Sequence, residues 1–154
     1  MGKINYPYLP EGREILYVPE SNPFMAEAKK ERNTNSTENN HPTGAVVVFG
    51  GKIIGRGANQ AAIKNKFIQN FHRDFFCIRR MLKIKTGTKY WLCPGCADFH
   101  NHAEVLAVAD AVKNRGDIAG ADLYLYGHWW CCRLCWDAMV SAGIKNVYLL
   151  RGSE

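Results

Sequence analysis

The sequence predicts an α/β fold in which a mixed β-sheet lies between layers of helices, and two observations support this prediction. Residues 45–49 and 52–57 are short apolar runs joined by Gly50 and Gly51, which is the pattern of an antiparallel hairpin. Two units of helix followed by strand come later in the chain, and such units lay their strands parallel in one sheet. We therefore expect an antiparallel N-terminal hairpin, parallel later strands and helices on both faces.

The composition is that of one globular domain. The chain has 154 residues, of which 47% are hydrophobic and 12% aromatic. No stretch approaches the roughly 18 apolar residues of a membrane span, and residues 1–10 lack the apolar centre of a signal peptide, so we expect no membrane contact and a cytoplasmic location. Six cysteines in such a protein favour metal ligands or free thiols over disulfides. The net charge of +6 favours a phosphorylated nucleotide or a nucleic acid as partner, although a solvated basic surface explains it equally.

An arm and one helix are predicted before the hairpin. Prolines recur within residues 1–20 and indicate an irregular N-terminal arm, so the single folded domain is expected over residues 21–154. Ser21 or Asn22 is suited to cap a helix whose first position is Pro23.

The segment between the hairpin and the next long helix has a less regular pattern. It favours a short helix over residues 73–83, a turn at residues 86–88 and an extended piece at residues 90–92. Asn101 is then a good N-cap residue for a helix with apolar positions at helical spacing up to Val112. The remaining predicted elements are a strand at residues 123–126, a helix over residues 136–142 and a last strand at residues 145–150.

Three residues with metal-binding side chains stand at the starts of the last two predicted helices. His102 begins the first helix, and Cys132 and Cys135 lie one turn apart at the start of the second. The partial positive charge at a helix N-terminus favours thiolate over thiol, so both cysteines are suited to a metal. Converging helix starts would supply three ligands, the number that a catalytic zinc takes because water occupies its fourth position. A structural zinc site and two cysteines packed in a core are the alternatives.

Glu104 lies two residues after His102, close to the expected metal without being needed as a ligand. A carboxylate in that position can accept the proton of a polarised water and pass it to a substrate. A closed structural site has no use for such a group, so Glu104 favours the catalytic interpretation.

His102-Ala103-Glu104 together with Cys132-x-x-Cys135 resembles the cytidine/deoxycytidylate deaminase family. Pro-x-Gly-Ala-Val-Val-Val at the hairpin, and Gly-x-Asn after it, resemble the opening of the same family and extend the resemblance over residues 22–151. The insertion that carries Cys-x-Arg-Arg, with a further cysteine shortly before His102, is similar to the deoxycytidylate branch in particular. The resemblance implies a three-layer cytidine-deaminase-like fold, one catalytic zinc, a homo-oligomer and hydrolysis of dCMP to dUMP and ammonia.

The same resemblance implies contacts to the substrate. Asn59 would bind the sugar, although a turn residue after a strand is the simpler interpretation. The backbone of Ala103 would hold the edge of the base, and Trp130 would line the base pocket or else belong to the core. Cys131 stands where the family usually has proline and adds a competing thiol. Cys132 remains the expected ligand, because its spacing to Cys135 is that of one helical turn.

A second metal-binding pattern precedes the helix that begins near His102. Cys-Pro-Gly-Cys at residues 93–96 is typical of a structural metal knuckle, and Cys77 and His100 would complete a tetrahedral shell with Cys93 and Cys96. Some members of the deoxycytidylate branch carry a second zinc, so the resemblance permits one here. The alternative is a group of buried thiols with His100 as a pocket residue.

Several alternatives for ligand and activity stay open at this point. The three arginines of the insertion would bind a nucleotide phosphate or form a solvated basic face: Arg73, Arg79 and Arg80. A tRNA adenosine or single-stranded DNA cytosine deaminase is favoured by the positive charge, and a free-nucleoside cytidine deaminase by the shared motif. A zinc-stabilised nucleotide-binding module without activity is the alternative outside the enzymes.

Overall fold

A five-stranded mixed sheet forms the centre of the computed structural model, which describes residues 4–38, 40–85, 88–96 and 99–153. Its strands are β1 (Ile15–Val18), β2 (Gly44–Phe49), β3 (Lys52–Ala58), β4 (Asp122–Tyr126) and β5 (Asn146–Leu150). They lie in the order β1-β5-β4-β2-β3. The pairs β1–β5 and β4–β5 are parallel, whereas β2 is antiparallel to both β3 and β4. The predicted hairpin and the predicted parallel pairing are both confirmed.

Helices cover both faces of this sheet. They are α1 (Pro23–Asn35) on one side and α4 (Ala103–Arg115) and α5 (Arg133–Ser141) on the other, while α2 (Lys66–Asp74) and α3 (Ile78–Met81) belong to the segment between β3 and α4. On one face, Met25 and Ala28 of α1 pack against Val46 and Val48. On the other face, α4 and α5 enclose the larger core, in which Val47 of β2 takes part. Alternation along β2 therefore sends neighbouring side chains into separate layers, and the predicted α/β/α arrangement is confirmed.

Two glycines let α4 lie directly on β3. A Cβ built at Gly57 would approach the backbone of Ala107 to 2.4 Å and that of Ala103 to 2.5 Å, and Gly55 meets the next turn of α4 in the same way. Only the hydrogen atom of a glycine side chain fits between β3 and α4 at these two positions. The first turn of α4 is consequently placed by backbone contact with the strand.

The predicted irregular arm is wrong for part of residues 1–20. Residues Ile15–Val18 form β1, which adds a parallel strand to the edge of β5 with Ile15 opposite Val147. Ile15 is buried in the larger core. The strand β1 also covers an edge of β5 whose backbone groups would otherwise be exposed and unpaired. The folded sheet therefore begins before residue 21.

The predicted helix over residues 73–83 is also wrong. Asn65 caps α2 by accepting from the N–H groups of Phe67 and Ile68, and the helix ends at Asp74 before the separate short α3. Residues Tyr90–Leu92 form a 3-10 helix instead of an extended piece. Residues 86 and 87 of the predicted turn lie outside the described residues.

The two helices of the metal motif begin where their capping residues dictate. Asn101 ends a short 3-10 helix, and the N-cap of α4 is His102 rather than Asn101. Cys132 is the N-cap of α5, which begins at Arg133, so the predicted helix start at Cys132 and Cys135 is confirmed. Over the residues that the structure describes, no helix has both the length and the apolar character needed to cross a membrane.

Candidate active site

The N-termini of α4 and α5 bring three predicted metal ligands together. Nδ1 of His102 lies 3.3 Å from Sγ of Cys135 and 3.7 Å from Sγ of Cys132. The two sulfur atoms are 3.2 Å apart, and all three donor atoms lie within 4.8 Å of one another. Since His102 and Cys132 are both N-cap residues, the two helices direct their positive ends towards the same point.

These separations fit a single tetrahedral ion. Zinc bonds of about 2.3 Å to sulfur and 2.0–2.1 Å to nitrogen place sulfur atoms about 3.8 Å apart and nitrogen about 3.6 Å from sulfur. The Cys132 sulfur also accepts the backbone N–H of Cys135 at 3.4 Å. Hydrogen bonds from the Cys135 thiol and from His102 lower the pKa of Cys132 to about 4, against the opposing effect of its burial. Cys132 is thus held as the thiolate that a metal requires.

Glu104 is buried beside this group of donors. Only 6% of the residue is exposed, and burial raises its pKa above the ordinary value for a carboxyl group. The neighbouring His102 opposes that rise, whereas the Cys132 sulfur adds to it. Glu104 is therefore close enough to both ligands to interact with their charges, and a carboxyl group in this environment binds a proton more readily than one in water.

Cys131 occupies a different place from the two metal-binding cysteines. It is fully buried, and burial together with the nearby Glu104 carboxylate raises the pKa of its thiol, while the thiol in turn acts to lower the pKa of Glu104. Among the residues described, the three-membered group at α4 and α5 contains Cys132 and Cys135 but not Cys131. The structure thus gives the extra thiol a contact with Glu104.

Aromatic side chains surround the three donors. The ring of Tyr90 meets that of His102 edge-on, with centroids 5.3 Å apart, and no local signal in the sequence indicated this contact. Trp130 is buried and lies edge-on to His128 at 5.8 Å. Burial lowers the pKa of His128 to about 4, so its neutral ring accepts the backbone N–H groups of Trp129 and Trp130. The role of Trp130 in a base pocket stays a prediction.

Asn59 joins two chain segments near the end of the hairpin. Its Oδ1 accepts from the Thr43 backbone at 2.9 Å and from the Ser36 hydroxyl at 2.6 Å, and its Nδ2 donates to the His41 carbonyl at 2.8 Å. These bonds agree with the alternative of a turn residue, and the sugar contact stays a prediction. Ala103 lies in the first turn of α4, where the helix itself offers no acceptor to the N–H group.

The arginines of the insertion have partners within their own segment. Arg73 pairs with Asp74, while Arg79 and Arg80 donate to backbone carbonyls, including that of His72 at 2.8 Å from Arg80. This arrangement favours the alternative of a basic segment over a shared phosphate site.

The second metal pattern forms with a different histidine from the one expected. Cys77, Cys93 and Cys96 meet His72 of α2, and all four are buried. His100, the predicted fourth ligand, is exposed and is not a member of this group, in which His72 takes its place. Although only three residues separate His100 from Cys96 in the sequence, it is His72 of α2 whose ring lies against Gly95 of the knuckle.

An open set of three donors beside a buried carboxylate is typical of metal-dependent hydrolytic enzymes, because a closed structural site uses four protein ligands. Residues 19–151 match the cytidine and deoxycytidylate deaminase zinc-binding region, and the chain belongs to this family of deaminases. No curated protein sequence matches the chain significantly.

Several solved structures are similar to the chain. The dCMP deaminase of cyanophage S-TIM5, in complex with dCMP and dUMP, has a TM-score of 0.50 and 22% identity, over 82% of this chain and 76% of the phage chain. A diaminohydroxyphosphoribosylaminopyrimidine deaminase/5-amino-6-(5-phosphoribosylamino)uracil reductase from Thermotoga maritima has a TM-score of 0.49 and 23% identity, over 82% of this chain but 28% of that protein. Guanine deaminase from Bacillus subtilis gives a TM-score of 0.44 and 23% identity, over 82% of this chain and 60% of that one.

Proposed function

We propose that this protein is a zinc-dependent hydrolytic deaminase of a cytosine nucleotide, converting dCMP to dUMP and ammonia. The observation that carries the proposal is the buried carboxylate of Glu104 beside an open set of three donors: His102, Cys132 and Cys135. A module that only binds zinc needs no such carboxylate, so this observation favours an enzyme over a binding module.

The residues of the site suit a transfer of protons at the base. Bound zinc would supply a Lewis acid that lowers the pKa of water towards neutrality. Glu104 would take one proton of the attacking water and deliver it to N3 of cytosine as the water oxygen adds to C4, and would then pass the remaining proton of that oxygen to the amino group, whose bond to C4 breaks to release ammonia. Its raised pKa suits a group that must both accept and release a proton. The neighbouring Cys131 thiol would help to orient the carboxylate.

A phosphorylated cytosine substrate is supported by charge and by the aromatic surroundings. The net charge of +6 attracts an anion to the protein. Trp130 would pack on the pyrimidine, the backbone of Ala103 would hold its edge, and Asn59 would contact the sugar. The Cys-x-Arg-Arg insertion, similar to that of the deoxycytidylate branch, favours dCMP over a nucleic acid.

Ammonia release from a substrate panel tests this proposal. The panel contains dCMP, CMP, dCTP, cytidine, deoxycytidine, single-stranded DNA and tRNA, assayed with the zinc-loaded protein. We expect the highest kcat/KM with dCMP. Higher turnover of tRNA or single-stranded DNA, with a gel shift at about 0.15 M salt, would replace the nucleotide assignment by the nucleic-acid alternative. No ammonia from any substrate would favour the binding module.

Replacement of Glu104 separates catalysis from folding. Glu104→Gln should keep the fold and the bound zinc but lower kcat by roughly 10²–10⁴, because a general acid–base group contributes about that factor. Asp110→Asn is a matched control on the same helix, since its carboxylate accepts the Arg56 backbone N–H and is not part of the metal-binding group. Unchanged turnover in Glu104→Gln would contradict the proposed role.

The setting of the activity follows from the same chemistry. A reducing compartment such as the cytoplasm would keep all six cysteines as the free thiols that the structure shows. We also expect a homo-oligomer, which light scattering coupled to size-exclusion chromatography would detect.

A further inference from the structure

A group of four buried side chains lies outside the candidate active site. His72 comes from α2, Cys77 lies immediately before α3, and Cys93 and Cys96 belong to the Cys-Pro-Gly-Cys knuckle. Their donor atoms all lie within 4.8 Å of one another. The group therefore joins three stretches of chain that are distant in sequence.

The separations within this group are those of a closed tetrahedral site. Sγ of Cys77 lies 3.8 Å from Sγ of Cys96, which equals the spacing of about 3.8 Å that zinc imposes on two thiolates. Nε2 of His72 lies 3.7 Å from Sγ of Cys96 and 3.1 Å from Sγ of Cys93, near the spacing of about 3.6 Å for nitrogen and sulfur on zinc. Three thiolates and one imidazole in this geometry select zinc among the common metals.

Gly95 explains how the histidine reaches the knuckle. A Cβ at this position would stand 2.3 Å from Cδ2 and 2.4 Å from Cγ of His72. The imidazole thus lies flat against the glycine of Cys-Pro-Gly-Cys, where any larger residue would push it away from Cys93 and Cys96.

The surroundings of the group also suit a metal. The side-chain amide of Asn40 lies 3.4 Å from Nδ1 of His72, on the side of the ring opposite the sulfurs. Rotation of that amide by 180° presents its oxygen to the N–H group, which is the usual partner of a metal-bound histidine. The guanidinium of Arg79 lies 3.8 Å from Sγ of Cys96, and its charge balances the excess negative charge of three thiolates on one zinc.

Residues 66–96 have few apolar contacts of their own. Their only buried apolar cluster among the described residues consists of the three cysteines, with Ile78 and Tyr90 packed against them. Large apolar side chains of the same segment are exposed, among them Phe67 at 80%, Phe75 at 77% and Trp91 at 73%. Apolar burial therefore cannot account for the stability of this segment, whereas a metal contributes folding free energy directly.

We propose that His72, Cys77, Cys93 and Cys96 bind a second, structural zinc ion that serves as the folding core of residues 66–96. This zinc also supports the candidate active site. Tyr90 packs against the cluster and meets the ring of His102, and the guanidinium of Arg79 lies over the Tyr90 ring, 3.9 Å from its centroid. The second zinc site thus holds in place the Tyr90 ring that contacts the His102 imidazole.

Zinc content measured by plasma mass spectrometry tests this proposal without any activity assay. We expect two zinc ions per chain in the purified protein and one in His72→Ala or Cys93→Ser after dialysis against a chelator. His100→Ala is the matched control and should keep two. His102→Ala should also hold one zinc ion. Adding His72→Ala to this variant should remove that remaining ion.

Protease sensitivity supplies a second readout for variants of low metal affinity. His72→Ala should be cleaved within residues 66–96 faster than wild type, with α1 and the sheet still folded by circular dichroism, whereas His102→Ala should resist as wild type does. One zinc per chain in wild type, removed by His102→Ala, would overturn the proposal. Two zinc ions in His72→Ala, together with one in His100→Ala, would also overturn the proposal. Neither result bears on ammonia release, so the proposed deaminase function stands or fails separately.

Discussion

Substitution of Gly57 by alanine tests whether the contact between β3 and α4 positions the catalytic groups. The added Cβ would lie 2.4 Å from the Ala107 nitrogen and 2.5 Å from the Ala103 oxygen, where ordinary contacts begin at 3.4 Å. Because both partners are backbone atoms, α4 must retreat by about 1 Å, and His102 and Glu104 lie at its first turn.

The expected cost has two components. Overpacking a rigid contact costs about 1–3 kcal/mol of unfolding free energy. A displacement of about 1 Å in a catalytic group costs about 100-fold in kcat, which corresponds to roughly 2.7 kcal/mol of activation free energy. The zinc content should remain unchanged if His102 moves together with its helix and the cysteine side chains adjust.

Gly44→Ala is the matched control for this substitution. Its Cβ would lie 2.3 Å from the backbone of Ala28 and Arg32, so it overpacks α1 on the opposite face of the sheet to the same degree. Chemical denaturation should show similar destabilisation of both variants, while steady-state assays with dCMP should show the large fall in kcat only for Gly57→Ala. Equal kcat values in the two variants would refute the claim that this contact places the catalytic helix.

Three further substitutions examine the surroundings of the site. Asn59→Ala should lower the unfolding free energy by roughly 2–4 kcal/mol, because it leaves the Thr43 N–H and the His41 carbonyl without this partner, and Ser36→Ala should cost less, because both of those bonds to Asn59 remain. The His128 ring has a pKa of about 4 in the folded protein against 6.5 in the unfolded chain, so the unfolded state gains the proton first as the pH falls. Between pH 6.5 and pH 4, the unfolding free energy of wild type should therefore fall by up to roughly 3 kcal/mol more than that of His128→Asn, as measured by denaturation. Cys131→Ala should bind the same number of zinc ions as wild type but turn over dCMP more slowly, and a lost zinc ion would instead make Cys131 a ligand.

Local signals in the sequence were sufficient for strands β2 to β5 of the sheet and for the three donors of the candidate active site. The turn at Gly50 and Gly51 defines the hairpin, because a two-residue loop with positive φ suits few other residues. His102 and Cys132 stand next to helix starts, and a helix start depends on a few adjacent residues. Their meeting then follows from the way helix–strand units pack on one sheet.

Contacts between distant parts of the chain were decided only by the tertiary structure. His100 is near Cys96 in sequence, yet His72, which precedes Cys93 by 21 residues, reaches the knuckle because Gly95 leaves room for its ring. The position of His72 five residues before Cys77 offered a weak indication at most. The strand β1 and the contact of Tyr90 with His102 were missed for the same reason. Spacing along the chain determines local backbone conformation, whereas the approach of two remote side chains depends on how whole elements pack together.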